Sequence, residues 1–68
     1  MEEEIARINR IVVTTLKDQN GEQKFCLRYL SDFQSKQGIL TIQHAFTEES
    51  LREMASAFQQ AIDYIDRQ

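Results

Sequence analysis

IVVTTLKDQNGEQKFCLRYL, residues 11–30, is the stretch whose reading decides the fold. Two runs of alternating apolar residues flank Asn20-Gly21, and both turn residues tolerate the positive φ that a type I′ turn demands. The stretch therefore predicts a β-hairpin. With a two-residue loop, Leu16 lies opposite Phe25, Thr14 opposite Leu27 and Val12 opposite Tyr29. A type I turn with a G1 bulge shifts the first strand by one residue and puts Ile11, Val13 and Thr15 on that face instead. Phe25, Leu27 and Tyr29 point inward in either register. Both registers stay open, and the face assignments below follow the first.

Downstream, SKQG (residues 35–38) offers Gly38 for a left-handed turn conformation. A four-residue loop there pairs Phe33 with Leu40, Ser31 with Ile42, Tyr29 with His44 and Leu27 with Phe46, keeping one apolar face continuous over three strands. Thr47 is a good N-cap, Glu48 and Glu49 suit the positive end of the helix dipole, and Phe46 with Leu51 fits a hydrophobic staple. Leu51, Met54, Ala55, Phe58, Ala61, Ile62 and Ile65 then form one stripe at spacings of three and four, which predicts a helix over about 48–66. At 1.5 Å per residue it is about 29 Å long, enough to lie across the sheet and cover Phe25, Leu27, Tyr29, Phe33, Leu40 and Ile42.

Upstream, MEEEIARINR reads two ways. Ile5 and Ile8 suit a helical turn, whereas Ala6, Ile8, Arg10 and Val12 suit the start of a strand; the helix is the favoured reading. The expectation is thus an α+β fold in a single small domain, 1–68: a three-stranded antiparallel β-meander over 10–46 and a long C-terminal helix over 47–67 packed on one face. Residues 1–9 either add a short N-terminal helix, giving (α)βββα, or extend the first strand.

A chain of 68 residues buries only about 60% of its unfolded surface. Such a core has no room for a buried cofactor or a deep substrate cavity, which takes roughly 300 Å³ or more. No cofactor, small-molecule substrate or enzymatic activity is expected. The 41% hydrophobic content and the absence of proline argue for a folded chain despite a mean hydropathy of -0.51. No apolar run approaches the roughly 18 residues of a membrane span, and MEEE is unlike a basic signal-peptide start. One cysteine makes neither an internal disulfide nor, alone, a zinc site. A soluble cytoplasmic protein is expected.

The net charge of -3 hides an asymmetry. Over residues 5–46, six cations (Arg7, Arg10, Lys17, Lys24, Arg28, Lys36) outnumber three anions (Asp18, Glu22, Asp32). From residue 47 onward, five carboxylates outnumber Arg52 and Arg67. The sheet portion is mildly basic and the helix acidic.

Catalytic and metal candidates are few. Cys26 and His44 form the one conceivable nucleophilic pair. Strand parity puts Cys26 opposite to Phe25 and Leu27 but His44 with Leu40 and Ile42, so the sheet is expected to separate them. A small half-buried thiol and a histidine at the core's edge beside Tyr29 are the plain alternatives. Asp63 and Asp66 sit on the solvent side of the helix, and Asp63 with Arg67, like Glu48 with Arg52, suggests an exposed pair. DQNGE lacks the twelve-residue ligand ladder of a calcium loop. No catalytic residue and no metal site is assigned.

The second sheet face is the remaining question. In the register followed here it carries an apolar cluster, Ile11, Val13 and Leu30, and a basic group, Lys17, Lys24 and Arg28. A fully solvated antiparallel face alternates more cleanly, so these six residues are the candidate partner-binding surface. Four coverings are open: the N-terminal segment with Ile5 and Ile8, a second copy, another protein, or nucleic acid. Three strands followed by a packed helix is similar in topology to plant ethylene-response-factor domains and phage integrase arm-binding domains, and that resemblance implies a sheet face laid into the DNA major groove. The αβββα order likewise resembles double-stranded-RNA-binding domains, although TEES stands where those open their last helix with lysines. A pI near 5.0 and only six cations over the sheet argue against nucleic acid. The expected function is a small non-enzymatic interaction or regulatory protein, of a kind common among phage and mobile-element proteins, binding a protein partner or itself through the open sheet face. Sheet-face DNA binding is the alternative.

Overall fold

The computed structural model describes residues 1–30 and 39–68, and for 39–41 the backbone alone. The chain is α+β: strands β1 (Glu3–Ile8), β2 (Ile11–Lys17), β3 (Gln23–Leu30) and β4 (Ile39–Phe46), then helix α1 (Glu48–Asp66). The strands form one antiparallel sheet in the order β1-β2-β3-β4. Four strands replace the three expected, because the N-terminal segment is β1 and not a helix. Asn9, at φ 56°, supplies the left-handed residue that turns β1 back onto β2 and pairs Ile8 with Ile11. Asparagine is among the few non-glycine residues that accept this conformation readily.

The central hairpin takes the bulged register. Gly21 at φ 79° closes the turn by donating its N–H to the Asp18 carbonyl at 3.0 Å, and Asp18 donates to the Glu22 carbonyl at 2.9 Å. The Asp18 carboxylate Oδ1 also accepts from the amides of Asn20 and Glu22, at 2.8 and 2.9 Å. These bonds favour the longer loop over the two-residue one. Consequently Thr15 pairs with Phe25, Val13 with Leu27 and Ile11 with Tyr29, one residue away from the register followed above.

The pairing of β3 with β4 is also displaced. Tyr29 meets Leu40 rather than His44, and Leu27 meets Gln43 rather than Phe46. The expected SKQG turn and Phe33 lie outside the described residues. Two extra residues are taken up in β4, one at Ile42 and one between Gln43 and Phe46. The first reverses the side-chain alternation, so that Gln43 shares the face of Leu27; the second, where Ala45 adopts φ 54°, restores it and returns Phe46 to the face of Phe25.

Phe25, Leu27 and Phe46 form the buried core cluster, with Val13, Leu51 and Met54 packed against it. Thr47 caps α1 by accepting the Ser50 amide at 3.2 Å, and Phe46 and Leu51 meet as the staple predicts. The helix does not cover the sheet as expected. Its first two turns are anchored, but no residue of α1 is buried, and Tyr29 and Ile42 remain open to solvent. Among the described residues, no helix is long and apolar enough to cross a membrane.

Ala45 carries a testable cost. Its left-handed backbone strains an L side chain by about 1–2 kcal/mol, and glycine removes that strain while adding freedom to the unfolded chain. Ala45→Gly is expected to stabilise the protein by roughly 0.5–1 kcal/mol, measured by urea denaturation.

Candidate functional site

The bulged register divides the six sequence-predicted residues between two faces. On the helix side stand Ile11 and Val13, with Lys17 in the same alternation near the hairpin tip. On the opposite side stand Lys24, Arg28 and Leu30. The structure does not bring the apolar and basic groups together.

The face away from the helix is polar and internally paired. Arg28 grips the Glu2 carboxylate with two nitrogens, Nε to Oε2 at 3.0 Å and Nη2 to Oε1 at 2.8 Å. The Thr14 hydroxyl donates to the same carboxylate. Lys24 Nζ lies 3.4 Å from Glu22, and Arg7 pairs with Glu4 at 2.7 Å. Below the Glu2–Arg28 pair, Val12, Thr14 and Cys26 are buried. The N-terminal segment thus contributes to covering this face through Glu2, while Ile5 and Ile8 remain exposed.

Cys26 and His44 share this face, with Sγ 3.5 Å from Nδ1. The expectation that the sheet separates them is corrected by the extra residue at Ile42, which turns His44 to the side of Cys26. The thiol has no exposed surface, so the pair offers no accessible sulfur to a substrate. Among the described residues, no group of three or more His, Cys, Asp or Glu side chains is placed to hold a metal ion. Glu48 pairs with Arg52 at 2.9 Å as expected, whereas Asp63 accepts from Gln59 at 2.9 Å.

The helix side differs in character. A hollow of about 250 Å³ between α1 and the sheet is lined by Ile11, Val13, Leu27, Leu51, Met54, Ala55 and Phe58. Beyond it the helix stripe continues uncovered, with Phe58 57% exposed, Ile62 48% and Ile65 63%. Ile8, Ile11 and Tyr29, neighbours in the ladder, are exposed on the sheet beside it. Sequence reading assigned Phe58, Ile62 and Ile65 to the core on spacing alone. The length of the helix was read correctly, but it outruns the cluster of Phe25, Leu27 and Phe46 on which it rests.

No family model matches the chain, and no curated protein and no solved structure is significantly similar to it.

The Glu2 carboxyl is held below its ordinary value by the Thr14 hydroxyl first and the Arg28 guanidinium second, against a smaller opposing effect of burial. A folded-state value below the unfolded one gives stability that is present above the ordinary carboxylate range, near 4.3, and lost as pH falls through the folded value. Glu2→Gln is expected to lower stability by about 1 kcal/mol at neutral pH. The gap from wild type should close as pH falls below about 4, a trend read from urea midpoints across pH.

Proposed function

We propose that this chain is a small non-enzymatic interaction protein that binds protein surfaces through the apolar face shared by the sheet and α1. The observation that carries this reading is the open apolar surface of Phe58, Ile62 and Ile65 on the helix and Ile8, Ile11 and Tyr29 on the sheet, set around an apolar hollow. Monomers rarely leave contiguous apolar patches of more than a few hundred Å² in water. Apolar and aromatic side chains around a concave centre, with charge kept to the rim, are the composition of a protein interface core. The rim here is supplied by Lys17 and Glu3 on the sheet.

This reading moves the working surface from the face named by sequence to the opposite one. Of the sequence candidates it retains Ile11 and Val13, with Lys17 at its edge. Lys24, Arg28 and Leu30 belong to the other face, where nucleic-acid contact is the weaker reading: Arg28 already holds Glu2 and Lys24 lies near Glu22. Phosphate binding there requires breaking those pairs. The single free thiol fits a reducing, cytoplasmic setting.

The test is the binding of anilinonaphthalene sulfonate, a dye that fluoresces on apolar surface, together with the mass in solution. An open or self-covered face predicts either dye fluorescence from a native monomer or an oligomer whose dissociation reveals it. The fluorescence should fall several-fold in Phe58→Glu with Ile62→Glu. A monomer that leaves the dye dark contradicts the reading.

A further inference from the structure

We propose that the occupant of this apolar face is a second copy of the chain, with the two α1 helices packed antiparallel about a two-fold axis at Phe58. The inference rests on the reading of the face as a docking surface and adds the partner and its geometry. A two-fold interface is self-complementary: if one residue meets another, the reverse contact must also exist. The stripe of α1 has this property in its numbering. Reversed about Phe58, Leu51 falls on Ile65, Met54 on Ile62, Ala55 on Ala61, and Phe58 on itself. Leu51, Phe58 and Ile65 recur every seven residues and Met54 and Ala61 follow three after, the repeat that lets two helices share a seam.

A parallel arrangement would set the two overhanging helix halves on each other and leave both hollows open, so it is the covering of the hollow that selects the antiparallel form.

The hollow takes part in this packing. Leu51 and Met54 line it with Ile11, Val13 and Leu27. The antiparallel match brings the second copy's Ile65 and Ile62 to Leu51 and Met54, at the mouth of that hollow. The overhanging half of each helix thereby covers the half-covered core of the other.

Surface area supplies the independent measure. The chain exposes 5635 Å², against about 4,450 Å² for a compact monomer of its mass. Its radius of gyration is 13.8 Å, where about 11 Å is ordinary for this length. The excess of about 1,200 Å² exceeds the roughly 800 Å² per partner that a stable interface buries.

Light scattering on the purified protein at about 100 μM should give twice the 8.0 kDa chain mass. Phe58→Glu should weaken dimerisation by about 30-fold or more with unchanged far-ultraviolet circular dichroism. Under mild oxidation Phe58→Cys should crosslink two chains, while Ser56→Cys, on the outer face of the helix, should not; buried Cys26 serves as background. A monomer at 100 μM overturns the second copy as occupant, and dye binding by that monomer leaves the apolar-face reading standing. A dimer indifferent to Phe58→Glu, or one crosslinked equally through Ser56→Cys, overturns the helix-centred interface.

Discussion

The contact on which the rest of the structure depends is that of Phe25 with Phe46. Their rings lie 6.1 Å apart and tilted by 37°, within the separation that favours offset aromatic pairs. It joins β3 to the end of β4 and places the start of α1 one residue later, at the capped Thr47. Leu51 and Met54 then settle on the same cluster. Phe46 reaches that position only because β4 takes up two extra residues. With one alone, Phe46 would point away from the helix, and α1 would have no apolar site at which to begin.

Since the anchor sits at the helix start, the remaining turns of α1 extend past it with nothing of their own to rest on. Nineteen residues span about 28 Å, while the core they join holds three buried side chains. The mismatch leaves apolar surface on the far half of the helix and on the first two strands. Evenly alternating strands with a continuous helix-facing set would have closed this gap inside one chain. Here β1 offers Ala6 and Ile8 to the helix side, and Ile8 is largely exposed.

Local chemistry made much of this legible. The hairpin at residues 18–22, the N-cap at Thr47, the staple and the bounds of α1 all follow from side chains within a few positions of one another. What escaped the reading depends on bulges and on distance. Asn9 is the residue that makes the first turn, but with no following glycine to mark it the reading rested on the Ile5 and Ile8 spacing. The extra residues of β4 have no glycine or proline to mark them, since Ala45 adopts the left-handed backbone itself. One such residue reverses the side chains beyond it, which is why His44 joined Cys26; the bulged register of the central hairpin likewise parted Ile11 and Val13 from Lys24, Arg28 and Leu30. The helix stripe was read correctly as apolar, but periodicity cannot say whether the surface it seeks lies in the same chain.

The account's central claim is that this fold completes its core by association. The most direct test is the thermal unfolding midpoint measured over a range of protein concentrations from about 1 to 300 μM, since binding that favours the folded state makes the midpoint depend on concentration. The account predicts a midpoint that climbs by several degrees across that range. A midpoint that stays constant, with a single cooperative transition throughout, would contradict it and would mean that the core of one chain suffices.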